Sequence, residues 1–490
     1  MPRLKVPIAQ GFYVDVSRAI SSQECVNLYP HKPMTQTITD NALLGVSGIE
    51  QRCLTAINAF NRGGHVMRET AYTVNGTKLY RIDYTTDAFG VRAYTAVDVS
   101  GAETIDGTQR VMMADNGDQL CIIAPELSGQ FNAWIYTTGG GLVQISDAAF
   151  DGPVSSVCFM DGYFLFSKTD SNKWFKSDLR DGFVYNALDF GSGESDPDFN
   201  VVIRPLDGLL YVFGNHTFEQ WQDVGGSGFP FQRTSNGNQQ KGCLAPHSMT
   251  YFNEALVWIG SSYNEKPAIW ATSGADAMKL STPAVDYLIN SGGIDPLKKA
   301  YSLRWAENGH NFVAFTVPGV CTVVYDSTTQ AWHQRKSVDR FLVPQPWRVT
   351  CMLSAYDSFF VGDELTGNIG QMDKDIYYEY GDEIRRYFTT PAIDNEGRPF
   401  SVYVCELFCD TGDVPVSGQG SDPVVRLSVS NDGGYTYLPE ISRNMGKTGE
   451  YAGVTYWPKL GRYRKPVIFR FDISEPIKVA FVKCELEIGA

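Results

Sequence analysis

One unit recurs along this chain: an apolar run, a two-residue polar turn and a second apolar run. Its first copy is Ala71-Tyr72-Thr73-Val74, then Asn75-Gly76, then Lys78-Leu79-Tyr80-Arg81-Ile82. Further turns read at Asn116-Gly117, Asp161-Gly162, Asp207-Gly208, Asn253-Glu254, Asn308-Gly309 and Asp357-Ser358. A tight hairpin needs positive φ at both central residues, and Asn, Asp and Gly adopt it at least cost. Successive turns stand 41, 45, 46, 46, 55 and 49 residues apart. A repeat of about 40–50 residues is the length of one four-stranded propeller blade. A lone blade cannot bury both its faces, so blades stack around an axis until the ring closes. Seven copies predict a β-propeller of six or seven blades, the count depending on where closure falls.

Several second hairpins carry large aromatics. Tyr163-Phe164-Leu165-Phe166 is followed by Trp174-Phe175, Tyr211-Val212-Phe213 by Phe218 and Trp221, and Trp258 by Trp270. An aromatic sugar-binding groove is one use for such residues. These sit inside strand patterns, so they are expected to fill the wedges between blades.

The repeat divides the chain. Residues 1–50 hold Pro2, Pro7, Pro30 and Pro33 and one compact apolar group, Val26-Asn27-Leu28-Tyr29, and read as an extended arm or a ring-closing segment. Residues 51–384 are assigned to the propeller. In 385–490 the repeat stops, and 400–409, 424–430, 467–473 and 479–488 read as strands of a separate β-sandwich, split by loops such as 412–423. A short helix is predicted over 283–290, between blades. The class is all-β.

Composition narrows the function. Of 490 residues, 13% are aromatic and 47 are glycine, which suits short strands and tight turns. The net charge is −14, which argues against a general nucleic-acid binder with clustered Lys and Arg. It does not argue against a channel through which DNA slides, where an acidic or neutral wall would avoid gripping phosphates. The ten cysteines are scattered with no CxxC pair, and Cys121 in its apolar run behaves as a small hydrophobe. Reduced thiols and an N-terminus without a signal-peptide core fit a protein made in a cytoplasm. No run approaches about 18 apolar residues, so no membrane insertion is expected.

Motifs for chemistry are sparse. Ser430-Asn431-Asp432-Gly433-Gly434-Tyr435-Thr436-Tyr437 resembles the Asp-box of sialidases with Tyr in the Trp place, a turn motif far from catalysis in that family. It occurs once, without an arginine triad or a Tyr/Glu pair that can be assigned. Asp196-x-Asp198-x-Asn200 with Asp207 echoes a calcium loop, but Val201 stands where the sharp turn needs Gly. The six histidines show no zinc spacing, and no phosphate or nucleophile motif is present. Arg462-Tyr463-Arg464-Lys465 reads as a solvated turn, or as a dock for an acidic partner. No catalytic, cofactor-binding or metal residue is assigned, and the chain reads as a non-enzyme.

Segments spread over nearly the whole chain resemble the packaged-DNA stabilisation proteins of short-tailed lambdoid bacteriophages, also called tail accessory or head-completion factors. They include Val26-Asn27-Leu28-Tyr29-Pro30, Gly45-Val46-Ser47-Gly48-Ile49, the stretch 161–179, Leu209 to Gly214 through Trp221, and Gln240-Lys241-Gly242. The best match runs from Tyr456-Trp457 through Gly461-Arg462-Tyr463-Arg464-Lys465 to Cys484-Glu485-Leu486-Glu487-Ile488. The resemblance implies a tail hub in the virion, assembled in the host cytoplasm. It implies a ring of six copies below the portal-adaptor complex that extends the DNA channel, retains packaged DNA and anchors the tail needle and tailspikes. The alternatives are a sialidase-like glycan hydrolase, with two carboxylates about 5–9 Å apart in a funnel, or a glycan- or receptor-binding protein.

Overall fold

The computed structural model describes residues 3–489, apart from 36–38, 194–197, 227, 235–238, 275 and 452. Four of the expected turns, Asp161-Gly162, Asp207-Gly208, Asn253-Glu254 and Asn308-Gly309, have positive φ at both residues. Each joins the first two strands of an antiparallel sheet. Asn116-Gly117 occupies the same place in its sheet, held by the Asn116 side-chain oxygen, which accepts from the N–H groups of Asp118 and Gln119 at 2.9 and 2.7 Å.

Two turns differ from expectation. Asn75-Gly76 lies between the second and third strands of its blade. The equivalent first turn is Arg68-Glu69, with φ 48° and 64°, and its residue types give no turn signal. Counted from there, Asn116 follows Arg68 by 48 residues and the outlying interval of 41 disappears. The last turn is Tyr356-Asp357, with φ 54° and 60°, one residue before the expected pair. The long interval of 55 holds two helices, α1 (Pro283–Ile289) and α2 (Ile294–Lys298). Thr282 caps α1 and Pro283 opens it, a favourable pairing at a helix start.

Among the described residues seven blades follow in order: four-stranded sheets over 61–98, 112–144, 154–192, 200–233 and 250–279, four strands of a larger sheet over 301–334, and three strands over 349–373. Their first strands pack beside one another around a common axis. The seventh sheet is completed from the other end of the chain. Gly48–Leu54 pairs antiparallel with Asn368–Asp373, placing Ile49 opposite Met372. Seven blades with this shared closure resolve the choice between six and seven.

The aromatics fill the wedges. Trp174 is fully buried with Trp221 and Phe231 between blades 3 and 4, its ring 5.3 Å from each. Gly191 makes room for it, since a Cβ there would lie 2.7 Å from the indole. Trp258 stacks edge-on against Phe213 between blades 4 and 5. None of these rings is free to form a sugar groove.

Two sheets pack face to face over the last hundred residues. One contains Thr455–Tyr463, Phe400–Cys409 and Ala480–Gly489. The other contains Arg386–Thr389, Ile468–Ile473, Val424–Ser430 and Ile441–Asn444. Trp457, Phe388, Phe471 and Phe481 fill the space between them. The N-terminal residues join this sandwich: Arg3–Val6 and Ala42–Gly45 both pair with Ala480–Gly489, and Leu28–His31 extends the edge. Cys25–Val26 bridges the second sheet to blade 6. The arm therefore stitches the two halves together.

Candidate functional site

Sequence reasoning singled out no site residues, and the polar chemistry of the structure concentrates in two places: the propeller axis and the junction where the ring closes. At the junction, Arg335 is 0% exposed and lies 3.9 Å over the Trp347 ring. It donates to the Ser47 carbonyl at 2.9 Å and stands 3.7 Å from Glu379. The same Glu379 accepts from the Trp347 indole at 2.8 Å and from the Ser337 hydroxyl at 2.6 Å. Arg348 forks onto Asp363 at 2.7 and 2.8 Å and reaches Asp382 at 2.7 Å. Burial lowers the affinity of Arg335 for its proton and brings Arg386 down to about 10, with the Arg335 charge adding to the effect. Unpaired buried charges cost several kcal/mol, so this network fixes one arrangement of blade 6, blade 7, the closing strand and the sandwich linker. Spread over 47–386, it could not be found by local spacing.

Near the axis, side chains of different blades meet. Arg110, at the start of blade 2, stacks 3.9 Å from the Tyr301 ring of blade 6 and donates to the Thr350 carbonyl of blade 7. It lines both a cavity of about 660 Å³ on one side and one of about 480 Å³ on the other. Arg204 donates to the Val157 carbonyl at 2.9 Å and Arg304 to that of Tyr251 at 3.0 Å, so these cations tie neighbouring inner strands. Burial, then the Arg110 and Arg204 charges, push the His247 imidazole down to about 3 and keep it neutral.

The remaining motifs resolve into structure. Asp432 accepts from the N–H groups of Tyr435 and Thr436 at 3.0 Å and from the Thr436 hydroxyl at 2.5 Å, which is the turn expected of an Asp-box. The arm docks there, Arg18 donating to the Gly434 carbonyl at 2.5 Å. Of the calcium-like residues, Asp196 lies outside the described residues. Asp198 accepts from the N–H groups of His216 and Thr217 at 2.6 and 3.1 Å, a loop-pinning role. Arg462 and Tyr463 end a strand, with Arg464 and Lys465 exposed just beyond it. All ten cysteines are free thiols, nine of them buried.

A family model described as Bacteriophage P22 Gp10, beta-propeller, matches residues 4–377, and one described as Bacteriophage P22 Gp10, beta-sandwich, matches 385–489. The chain belongs to the phage P22 Gp10 family. Tail hub protein gp10 of Salmonella phage P22 is 20% identical over 503 residues, covering 100% of each chain. Similar solved structures include the computationally designed Ika8 protein, with TM-score 0.38, 10% identity, 66% of this chain and 99% of that one. The N-terminal domain of Nup159 has TM-score 0.38 and 10% identity over 72% of this chain and 99% of its own. BamB from Moraxella catarrhalis has TM-score 0.36 and 11% identity over 76% and 98%. In this Gp10-family chain several segments that carried the resemblance sit at junctions. Val26-Asn27 joins arm to blade 6 and sandwich, and Gly48-Ile49 closes the ring. Gly242 lies so near the Asn215 backbone that a Cβ would stand 2.2 Å away.

Proposed function

We propose that this chain is a structural tail hub protein of a phage virion and not an enzyme. The observation that carries the reading is the end-to-end match to a curated tail hub protein together with both family domains. In this reading six copies form a ring below the portal-adaptor complex, which extends the DNA channel, retains packaged DNA and anchors the tail needle and tailspikes. The protein is assembled in the host cytoplasm and ends in the virion tail. An arm over 1–50, a ring over 51–384 and a sandwich over 385–490 act as three units, the arm riveting the other two.

The contacts of Arg110 across blades 2, 6 and 7 support placing the DNA path between copies, along the lumen of the ring, and not through any single propeller. A net charge of −14 supports a wall that lets phosphates slide. The burial of Trp174, Trp221 and Trp258 supports a packing role for these rings over the aromatic groove of a glycan hydrolase or receptor binder. Particles made without this chain test the reading. They should fill with DNA and then lose it, and adding purified chain should prevent the loss. Particles that keep their DNA and infect normally without it would sink the hub role.

A further inference from the structure

Between blades 6 and 7 a hairpin projects from the molecule. Lys336–Val338 pairs with Pro344–Pro346, and the tip carries Phe341, Leu342 and Val343 at 70%, 67% and 49% exposure. The tip is not loose. The Asp339 carboxylate accepts from the N–H groups of Phe341 and Val343 at 2.8 and 2.9 Å. Asp339 also exchanges backbone bonds with Val343 and Leu342. Three consecutive apolar side chains held rigidly in water carry a standing cost, and such patches mark interaction sites. Pre-organisation lowers the entropy lost when they are covered. Arg340 flanks them, its guanidinium 4.7 Å from the Phe341 ring.

The same chain carries a cleft of opposite character. A cavity of about 640 Å³ lies between the linker after blade 7 and two sandwich loops. Tyr377, Val414, Pro415 and Ile477 give it apolar walls. Asp375, Asp382, Glu383 and Asp413 line it against one cation, Lys478, which pairs with Asp410. The volume falls within the ~300–1,000 Å³ of clefts that swallow a compact apolar group. Knob and cleft are held at fixed spacing, because the knob's base bonds Glu379 through Ser337, and Arg348 just after the knob binds Asp382. A rigid knob and hole on one chain generate a head-to-tail contact with a constant rotation per copy, which closes into a ring when that rotation fits.

We propose that the tip 340–343 of one copy seats in the cleft of the next, with Phe341 and Leu342 against its apolar walls and Arg340 facing Glu383 and Asp413. This contact rests on the hub reading above and names the surfaces that build its ring.

The test uses particles assembled with Leu342→Cys/Val414→Cys chains and treated with a short bismaleimide. Both single variants and the unaltered chain serve as controls, since native thiols are buried except half-buried Cys409. The expected result is a ladder of cross-linked multimers in the double variant and none in the controls. Dimers without a ladder, or cross-linking of Leu342→Cys alone, would show a symmetric pair and overturn the proposal. So would an uncross-linked chain present in particles, because another partner would then cover the tip. Absence of the unaltered chain from particles would instead overturn the hub reading itself. Phe341→Asp, on an exposed turn, should fold with unchanged unfolding temperature and fail to enter particles. Normal incorporation of that variant would likewise refute the knob.

Discussion

Asn27 and Lys336 grip each other twice across 309 residues of chain: the Asn27 amide donates to the Lys336 carbonyl at 2.8 Å, and the Lys336 N–H donates to the Asn27 side-chain oxygen at 3.0 Å. The same amide also donates to the Arg385 carbonyl at 2.8 Å. Asn27 has φ 54°, a conformation Asn tolerates better than most residues. One fully buried side chain thus ties the arm, the exit of blade 6 and the entry to the sandwich.

Asn27→Ala strands two part-buried carbonyls and one N–H, each costing about 1 kcal/mol or more when left unmade. The expected loss is about 3 kcal/mol or more in urea unfolding. Limited proteolysis should cut the arm in the variant well before the unaltered chain.

Arg348 and Asp363 are both buried, so removing one leaves the other charge unpaired. Arg348→Met should cost about 3–5 kcal/mol. Adding Asp363→Leu should recover much of that loss, since an apolar pair of similar volume avoids the desolvation penalty. A denaturant series on the two single variants and the double variant checks this, with non-additivity as the signature.

His333 is 1% exposed, and burial, followed by the Arg335 and His310 charges, pushes its imidazole down to about 3 against the opposing pull of Asp326. In the unfolded chain it takes a proton near pH 6.5. Stability from this group is therefore complete above about pH 6.5 and drains as pH falls toward 3, by about 1.4 kcal/mol per pH unit at most. Between pH 7 and 5 that amounts to about 2 kcal/mol. His333→Phe should show a drop smaller by about that amount when unfolding is measured at both pH values.

Trp174 closes the wedge between blades 3 and 4, so Trp174→Ala should cost about 3–5 kcal/mol. Far-UV and near-UV spectra with thermal unfolding report this loss.

The propeller was legible because a blade hairpin needs positive φ twice, and Asp-Gly or Asn-Gly announces that need locally. It was misphased in blade 1, where Arg68-Glu69 takes the same conformation without the residues that favour it. There the flanking pairs Met67–Thr70 and Val66–Ala71 impose the turn from outside. The strands at 400–409 and 424–430 follow from their apolar patterns, whereas Ile441–Asn444 is exposed throughout and gave no such signal. Closure by Gly48–Leu54 was one of two readings for the arm, and the strands it lends to the sandwich were not foreseen. Pairings such as Leu4 with Leu486 depend on where both ends lie in space, which no local window records. The Arg335–Glu379 network is invisible for the same reason. The exposed Phe341-Leu342-Val343 tip did lie in plain view as an apolar triplet, but only the structure shows that it is uncovered.

The most direct test of the central claim is a cryo-electron microscopy reconstruction of the tail end of intact particles. The account predicts a closed ring of this chain around an axial channel, DNA density in the lumen of the ring, and empty propeller axes with Arg110 packed on Tyr301. Isolated single copies on the particle surface, or DNA density running through a propeller axis, would contradict it.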